Sequence, residues 1–261
     1  MSLKGRVAIV TGSTSGIGLG IAQALAAEGA AIMLNGFGPA DEIEKLRQDI
    51  ASRHSVEVRY SAADMTKPAD IAGMVASAHD ELGGVHILVN NAGIQFTANI
   101  EDFPAEKWDA IIAINLSAAF HAMHAAIPHM KAGGWGRIVN IASAHGLVAS
   151  PQKAAYVAAK HGIVGLTKVA GIELANSGIT ANAICPGWVL TPLVEKQIGD
   201  RATKQGRTVE DVRHELLAEK QPMLQFSTPE EIGALTVFLC SDSAKTITGV
   251  PLSIDGGWTA G

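Results

Sequence analysis

A chain of 261 residues, 48% hydrophobic and 17% charged, holds enough apolar material for a sizeable core, which excludes a disordered or collagen-like polymer. Its formal net charge of -5, with no run of Lys or Arg, argues against nucleic acid as the main partner. Two cysteines, Cys185 and Cys240, share no metal-type spacing and are too few for a disulfide scaffold.

Strand-like and helix-like segments alternate from the start. Residues 7–11 form a short apolar run ended by glycine, and residues 17–28 have helical apolar spacing. Residues 31–35 read as a second strand and residues 41–53 as an amphipathic helix. Further buried-strand candidates are 56–61, 87–90, 137–141 and 180–185, with helical stretches between them, one of which is 108–130. Residues 188–226 turn polar and charged, an insertion of the kind that forms a lid. Residues 252–254 read as a last strand, followed by a turn. Apolar strands alternating with helices predict one α/β domain over 1–261, a doubly wound parallel sheet covered on both faces. Ligands then bind at the edge where the strand ends and their loops gather. No secretory leader or long uninterrupted apolar span is evident, so a cytoplasmic protein without a membrane partner is expected.

Gly12, Gly16 and Gly18 fall between the first strand and the first helix, together with Thr14, Ser15 and Ile17. Glycines there allow a tight turn and let a pyrophosphate approach the helix N-terminus, whose free N–H groups and dipole favour anions. The second strand ends in Asn35-Gly36-Phe37-Gly38, with no acid for the ribose and no cation for a 2′-phosphate. Ser13–Ser15 carries no cation either, and this favours NAD over NADP. Asp64, followed by Met65, could accept from an adenine amine or simply cap a turn. Asn91, Ala92 and Gly93, after Asn90, suit close approach to adenosine and ribose.

Tyr156 and Lys160 are four apart and share one face if helical. A phenol at its ordinary pKa of about 10 is a poor base, and a nearby cation lowers that value. Ser143, just past a strand, can orient a substrate oxygen. Asn115 is an amide among Ile111, Ile112, Ile114 and Leu116, where a held water could link Lys160 to solvent. A hydride carrier beside a tunable phenol is an alcohol–ketone redox centre. Gln95, His145, Lys153 and Gln197 lie in loops expected above it and would suit a small carboxylate, with Trp188 and Trp258 as an apolar wall. No His/Cys/Asp/Glu cluster suggests a catalytic metal.

Over essentially its full length the chain resembles the short-chain dehydrogenase/reductase family. The resemblance rests on 11–18, Asn90-Asn91-Ala92-Gly93, Asn115, Ser143, Tyr156-x-x-x-Lys160 and Pro186-Gly187. It implies a Rossmann-type sheet of about seven strands and an Asn115–Ser143–Tyr156–Lys160 tetrad. It also implies cofactor contacts from Phe37, Pro186, Gly187 and Val189, and a homotetramer with 252–258 near a subunit interface. The family's usual Asp after the second strand is missing. Gln95, His145, Lys153 and Gln197 are similar to the carboxylate clamp of its bacterial D-3-hydroxybutyrate-oxidising members. That similarity implies D-3-hydroxybutyrate and acetoacetate as the reacting pair. A 3-oxoacyl-carrier-protein reductase, a polyol dehydrogenase and a silent NAD-binding sensor are the alternatives.

Overall fold

The computed structural model describes residues 2–261. Its strands are β1 Val7–Val10, β2 Ala31–Asn35, β3 Val58–Ser61, β4 Ile87–Asn90, β5 Gly136–Ile141, β6 Ile179–Pro186 and β7 Pro251–Ile254. They form one parallel sheet in the order β3-β2-β1-β4-β5-β6-β7. The helices are α1 Gly16–Ala27, α2 Ala40–His54, α3 Pro68–Leu82, α4 Ala105–Ile112, α5 Ala118–Ala132, α6 Ala154–Glu173, α7 Pro192–Gln205, α8 Val209–Ala218 and α9 Pro229–Leu239.

Side-chain alternation divides the core into two layers. Ala8, Val10, Ile32, Leu34, Ile87 and Val89 pack with α1, α2 and α9 residues such as Ile21, Leu25, Ile50 and Ile232. The intervening Ile9, Met33 and Leu88 pack on the other face with Ile71, Met74, Met123, Ala126 and Ala170. Both faces are therefore buried, which is why the strands read as unbroken apolar runs. Strand order reverses between β1 and β4, so the loops that follow them splay apart and open a crevice at their C-terminal ends.

The predicted third strand begins two residues late, at Val58. Ser55 takes a left-handed conformation at the end of α2, and the Val56 N–H returns to the Ala51 carbonyl, so Val56 closes the helix instead. The stretch predicted as one helix over 108–130 runs from Ala105 to Ala132 but widens into a π-helical turn at Ala113–Ser117. The polar insertion forms α7 and α8. Its two ends are tied side by side, since Leu190 N–H donates to Ser227 O at 2.9 Å and Ser227 N–H donates to Trp188 O at 3.0 Å.

Helix α1 lies hard against α9. A Cβ on Gly20 would sit 2.6 Å from Pro229 Cβ, and one on Gly233 would sit 2.9 Å from the Gly20 carbonyl oxygen. Gly20→Ala is expected to destabilise the fold by about 1–3 kcal/mol through overpacking. Urea unfolding checks this, and a midpoint equal to wild type would mean the two helices can separate freely.

Candidate active site

The first loop is fastened to the fourth by a reciprocal clasp. Thr11 Oγ1 accepts from the Asn91 and Ala92 N–H groups at 2.9 and 3.0 Å. Asn91 Nδ2 in turn donates to the Thr11 and Gly12 carbonyls at 2.9 and 3.0 Å. Glycine is required here for closeness as well as for turning. A Cβ on Gly18 would lie 2.2 Å from the Gly12 oxygen, and one on Gly12 would lie 2.9 Å from Ala92 Cα. Asn35 ends β2 as a three-way staple: its Oδ1 accepts from Gly12 N–H, and its Nδ2 donates to the Ser61 and Ala63 carbonyls.

A dinucleotide fits this frame. The N-terminus of α1 has no side-chain cap and no acid in its first turn, so its N–H groups and positive dipole end remain available to a diphosphate. Gly16 holds a positive φ and faces Thr191, at the foot of the polar insertion. Phe37 is 71% exposed at the β2 edge, where it can cover an adenine. Asp64 performs the turn role: its Oδ1 accepts from both the N–H and the hydroxyl of Thr66, which holds its pKa below the ordinary value. Met65 is buried behind it.

A cleft of about 810 Å³ runs along the strand ends. Its walls include Ile17, Asn91, Gly93, Gln95, Ser143, Lys153, Tyr156, Lys160, Pro186, Gly187, Trp188, Val189 and Gln197. Residues distant in sequence thus share one space. The structure adds Phe96, Thr97, Thr191, Leu193 and Val194, which sequence patterning had no means to select.

Tyr156 and Lys160 stand one turn apart on α6, with the lysine Nζ 5.5 Å from the phenol ring centre. Lys160 is 4% exposed and donates to the Ile141 carbonyl at 2.7 Å. Burial pushes its pKa down to about 8. The Tyr156 phenol is raised above its ordinary value by burial, against the pull of a hydrogen bond from Ser143. The Lys160 ammonium is held toward the Ile141 carbonyl in the structure.

Asn115 lies inside the π-helical turn, and its amide is wholly engaged with one residue. It accepts from Ile94 N–H at 2.9 Å and donates to Ile94 O at 3.0 Å, which fixes the loop after β4. Beside it a small cavity of about 10 Å³ has Asn90, Asn115 and Lys160 among its walls. That is about the room one water needs. The buried Oδ1 of Asn90 has no hydrogen-bond partner among the described residues, while its Nδ2 donates to Asn140.

His145 and Trp258, expected at the substrate, adjoin the cleft walls: Trp258 stacks on Trp188, and His145 lies against Ser143 and Tyr156. His145 follows Ser143 in a 3-10 turn and packs edge-on to both Tyr156 and Trp258. Burial and the nearby positive charge of Lys153 push its pKa down to about 4, so it is neutral at physiological pH. Lys153 precedes α6 with its Nζ 5.9 Å from the Trp188 ring centre, and burial lowers its pKa. Lys220, after α8, adds a further positive charge that acts on both His145 and Lys153. It is distant in sequence and carries no motif, so no sequence signal marks it. Gln221 is a second residue that patterning missed. It is buried, accepts from Trp188 N–H at 3.0 Å and donates to Gln225 O, pinning the cleft wall to the insertion. Among the described residues, no group of three or more His, Cys, Asp or Glu side chains could hold a metal.

A nucleotide cradle beside a Ser–Tyr–Lys centre defines an oxidoreductase acting on an alcohol or a carbonyl. A family profile described as Enoyl-(Acyl carrier protein) reductase matches residues 12–259. The chain belongs to this family, the short-chain dehydrogenase/reductases. It is 60% identical over 259 residues to D-beta-hydroxybutyrate dehydrogenase of Cupriavidus necator, covering 99% of both chains. It is 58% identical to the protein of that name from Rhizobium meliloti, covering 98% of this chain and 99% of the relative. Among solved structures it resembles L-sorbose reductase of Gluconobacter frateurii complexed with NADPH and L-sorbose, with a TM-score of 0.95, 31% identity, and coverage of 100% of this chain and 99% of that one.

The buried Lys160 has a consequence for stability. An unfolded lysine titrates near 10.5 and Lys160 near 8, so its contribution is fully present above the first value and lost as pH falls through the second. Lys160→Met removes this dependence. Its thermal midpoint relative to wild type should be highest near neutral pH and decline as pH rises from 8 toward 10. A difference that stays flat with pH would show that Lys160 is not charged and desolvated as described.

Proposed function

We propose that this enzyme oxidises D-3-hydroxybutyrate to acetoacetate, reversibly, with NAD. The observation that carries the reading is one cleft that joins Ser143, Tyr156 and Lys160 to Lys153, Gln95 and Gln197. The names of the two relatives at 58% and 60% identity support the same pair of compounds.

Lys153 supplies charge to the substrate carboxylate, and Gln95 and Gln197 supply amide donors. Trp188 offers the apolar wall for a short alkyl chain. His145, held beside Ser143, is a further donor to the carboxylate, and Trp258 extends the apolar wall by stacking on Trp188. Ser143 turns its one hydroxyl proton to the C3 oxygen when substrate is bound, and Tyr156 as phenolate takes the C3 hydroxyl proton. Before substrate binds, the Ser143 hydrogen bond favours that phenolate and burial opposes it. The water-sized cavity between Lys160 and Asn115 gives the proton an onward step. NAD, when bound, accepts the hydride from C3. Gly12, Thr14, Ser15, Gly16, Ile17 and Gly18 would hold its diphosphate, and Phe37, Asp64 and Met65 its adenine end. Asn91, Ala92, Gly93, Tyr156 and Lys160 would hold its ribose, with Pro186, Gly187 and Val189 beside the nicotinamide. No cation stands at Ser13–Ser15 or at residues 35–38 to meet a 2′-phosphate, which favours NAD.

We read residues 188–226 as a lid within a single catalytic domain. The chain is also read as a cytoplasmic homotetramer. Continuous helix from Ala105 to Ala132 is long and apolar enough to cross a membrane, yet it carries the buried Asn115 and packs on α3 and α6. Its exposed Trp108 and Phe120, with Val169 and Ile172 on α6, suit contact with further copies of the chain. Light scattering after size exclusion tests this: a mass of one protomer at micromolar concentration would overturn it.

A carrier-protein reductase is the main alternative, and it predicts a preference for NADPH. Activity with the D-acid and NAD, but not with NADP or the D-methyl ester, is the expected result; equal use of the ester would remove the carboxylate clamp. Lys153→Ala should raise the substrate KM at least tenfold and leave NAD binding intact, since the lost pair is a charge-assisted one worth about 1.5–3 kcal/mol. Tyr156→Phe should abolish turnover while the fold persists. Oxidation needs phenolate and reduction needs phenol, so with the phenol raised by burial oxidation should speed up as pH rises above neutral, while reduction should slow only as pH nears the raised phenol value. Initial rates in both directions across that range check the sign.

A further inference from the structure

A second cavity, of about 490 Å³, opens at the other edge of the sheet, where β5 and β6 begin. Its walls include Trp135, Arg137, Thr180, Asp242, Lys245 and Thr248. Arg137 is 3% exposed, and a buried guanidinium is costly without a counter-ion. No carboxylate among the described residues forms an ion pair with it. Its Nη1 donates to the Gly136 and Gly178 carbonyls at 2.7 and 3.2 Å, while the buried Nε has no partner. Asp242 acts on it only from a distance, and the nearby Cys240 thiol, pushed up by burial to about 12, stays neutral. The surroundings add positive charge instead. The guanidinium carbons of Arg6 and Arg137 lie 4.0 and 4.4 Å from the Trp135 ring centre, and burial and the charge of Arg6 lower the pKa of Arg137.

We propose that this cavity is a second anion site, which takes a phosphate group through Arg137 and Lys245. Polar groups reach it from three segments: Arg137 from β5, Thr180 from β6, and Lys245 and Thr248 from the stretch before β7. Thr248 Oγ1 accepts from Ala181 N–H at 3.2 Å, so its hydroxyl proton remains to be donated. Donors on several sides suit an acceptor with several oxygens, which favours phosphate over a carboxylate. Asp242 opposes an anion, but it is exposed, so solvent screens its charge more than that of the buried Arg137. Arriving phosphate would give the guanidinium the counter-ion it lacks. The site is remote from the reaction proposed above and does not depend on it: β5 begins at the cavity and ends at Ile141, whose carbonyl meets Lys160 in the cleft.

The test uses the full-length enzyme with saturating NADH, so that the dinucleotide cradle is already filled. Tryptophan is replaced by its 5-fluoro analogue, 19F spectra follow each tryptophan, and Trp135→Phe identifies the Trp135 signal. Inorganic phosphate and adenosine monophosphate are titrated separately, with ionic strength held constant by chloride. The expected result is a saturable shift of the Trp135 signal, while the signals of Trp188 and Trp258 stay in place. Arg137→Lys should weaken binding about tenfold, because a point charge replaces a planar fork. Lys245→Ala removes an exposed charge and should weaken it about threefold. Tighter binding of adenosine monophosphate would assign the site to phosphomonoesters, and tighter binding of inorganic phosphate would assign it to the free ion; both support the proposal. A Trp135 signal that does not move, or that chloride alone moves equally, would overturn it. So would unchanged affinity in Lys245→Ala, which decides the matter if Arg137→Lys does not fold.

Discussion

The clasp between Thr11 and Asn91 is the contact on which the rest of the site depends. Parallel strands leave their loops free at the C-terminal edge, and nothing in the sheet ladder fixes one loop relative to the next. Here the Thr11 hydroxyl satisfies two N–H groups of the β4 loop, while the Asn91 amide satisfies two carbonyls of the β1 loop. Four hydrogen bonds between two short segments, with a glycine at the point of closest approach, define where a diphosphate and a ribose could lie. Asn115 extends the arrangement by one residue, since it fixes Ile94 through both of its amide groups. The π-helical turn brings that amide inward without breaking the helix, at the cost of one widened turn.

Charge in the cleft is unbalanced. Lys160 and Lys153 are both desolvated enough to lower their pKa, and Lys220 adds positive potential. The nearby carboxylate of Asp255 is engaged elsewhere, accepting from Gly257 N–H and from both the N–H and the hydroxyl of Thr259. On a chain of net charge -5 this is a local cationic site, and the cost of holding it is offset when an anion arrives. Overall acidity and affinity for a small carboxylate are therefore compatible, because the first is a surface property and the second belongs to a cleft.

Sequence was most informative where one physical rule governs a segment. The strands Ala31–Asn35 and Ile87–Asn90 are legible to the residue, because burial on both faces demands an unbroken apolar run between turn residues. Tyr156 and Lys160 are legible because helical spacing alone brings them together. Side-chain direction was less legible. The sequence places His145 two residues after Ser143 but does not show the 3-10 turn at Ala144–Gly146 that buries its ring against Tyr156 and Trp258. Asp64 reads equally as a ligand acceptor or a turn residue, and the structure shows its Oδ1 accepting twice from Thr66, which leaves Oδ2 for a ligand. Lys220 and Gln221 approach the cleft only through the tertiary path of the insertion, so no local pattern could reveal them.

The two polar residues nearest Ser143 and the carboxylate site divide their work according to solvation. Lys153 lines the open cleft beside Trp188, where an incoming carboxylate can neutralise it. His145 is shut between aromatic rings, where a second charge would have no counter-ion and would repel Lys153. Keeping the histidine neutral avoids that repulsion and leaves a dipole, and a dipole can be aimed. The two ring nitrogens lie 3.4 Å from Ser143 Oγ and 3.0 Å from Ser150 Oγ. Charge thus supplies attraction for the substrate at one end of the pocket. A neutral ring beside Ser143 adds polarity there without adding a second charge.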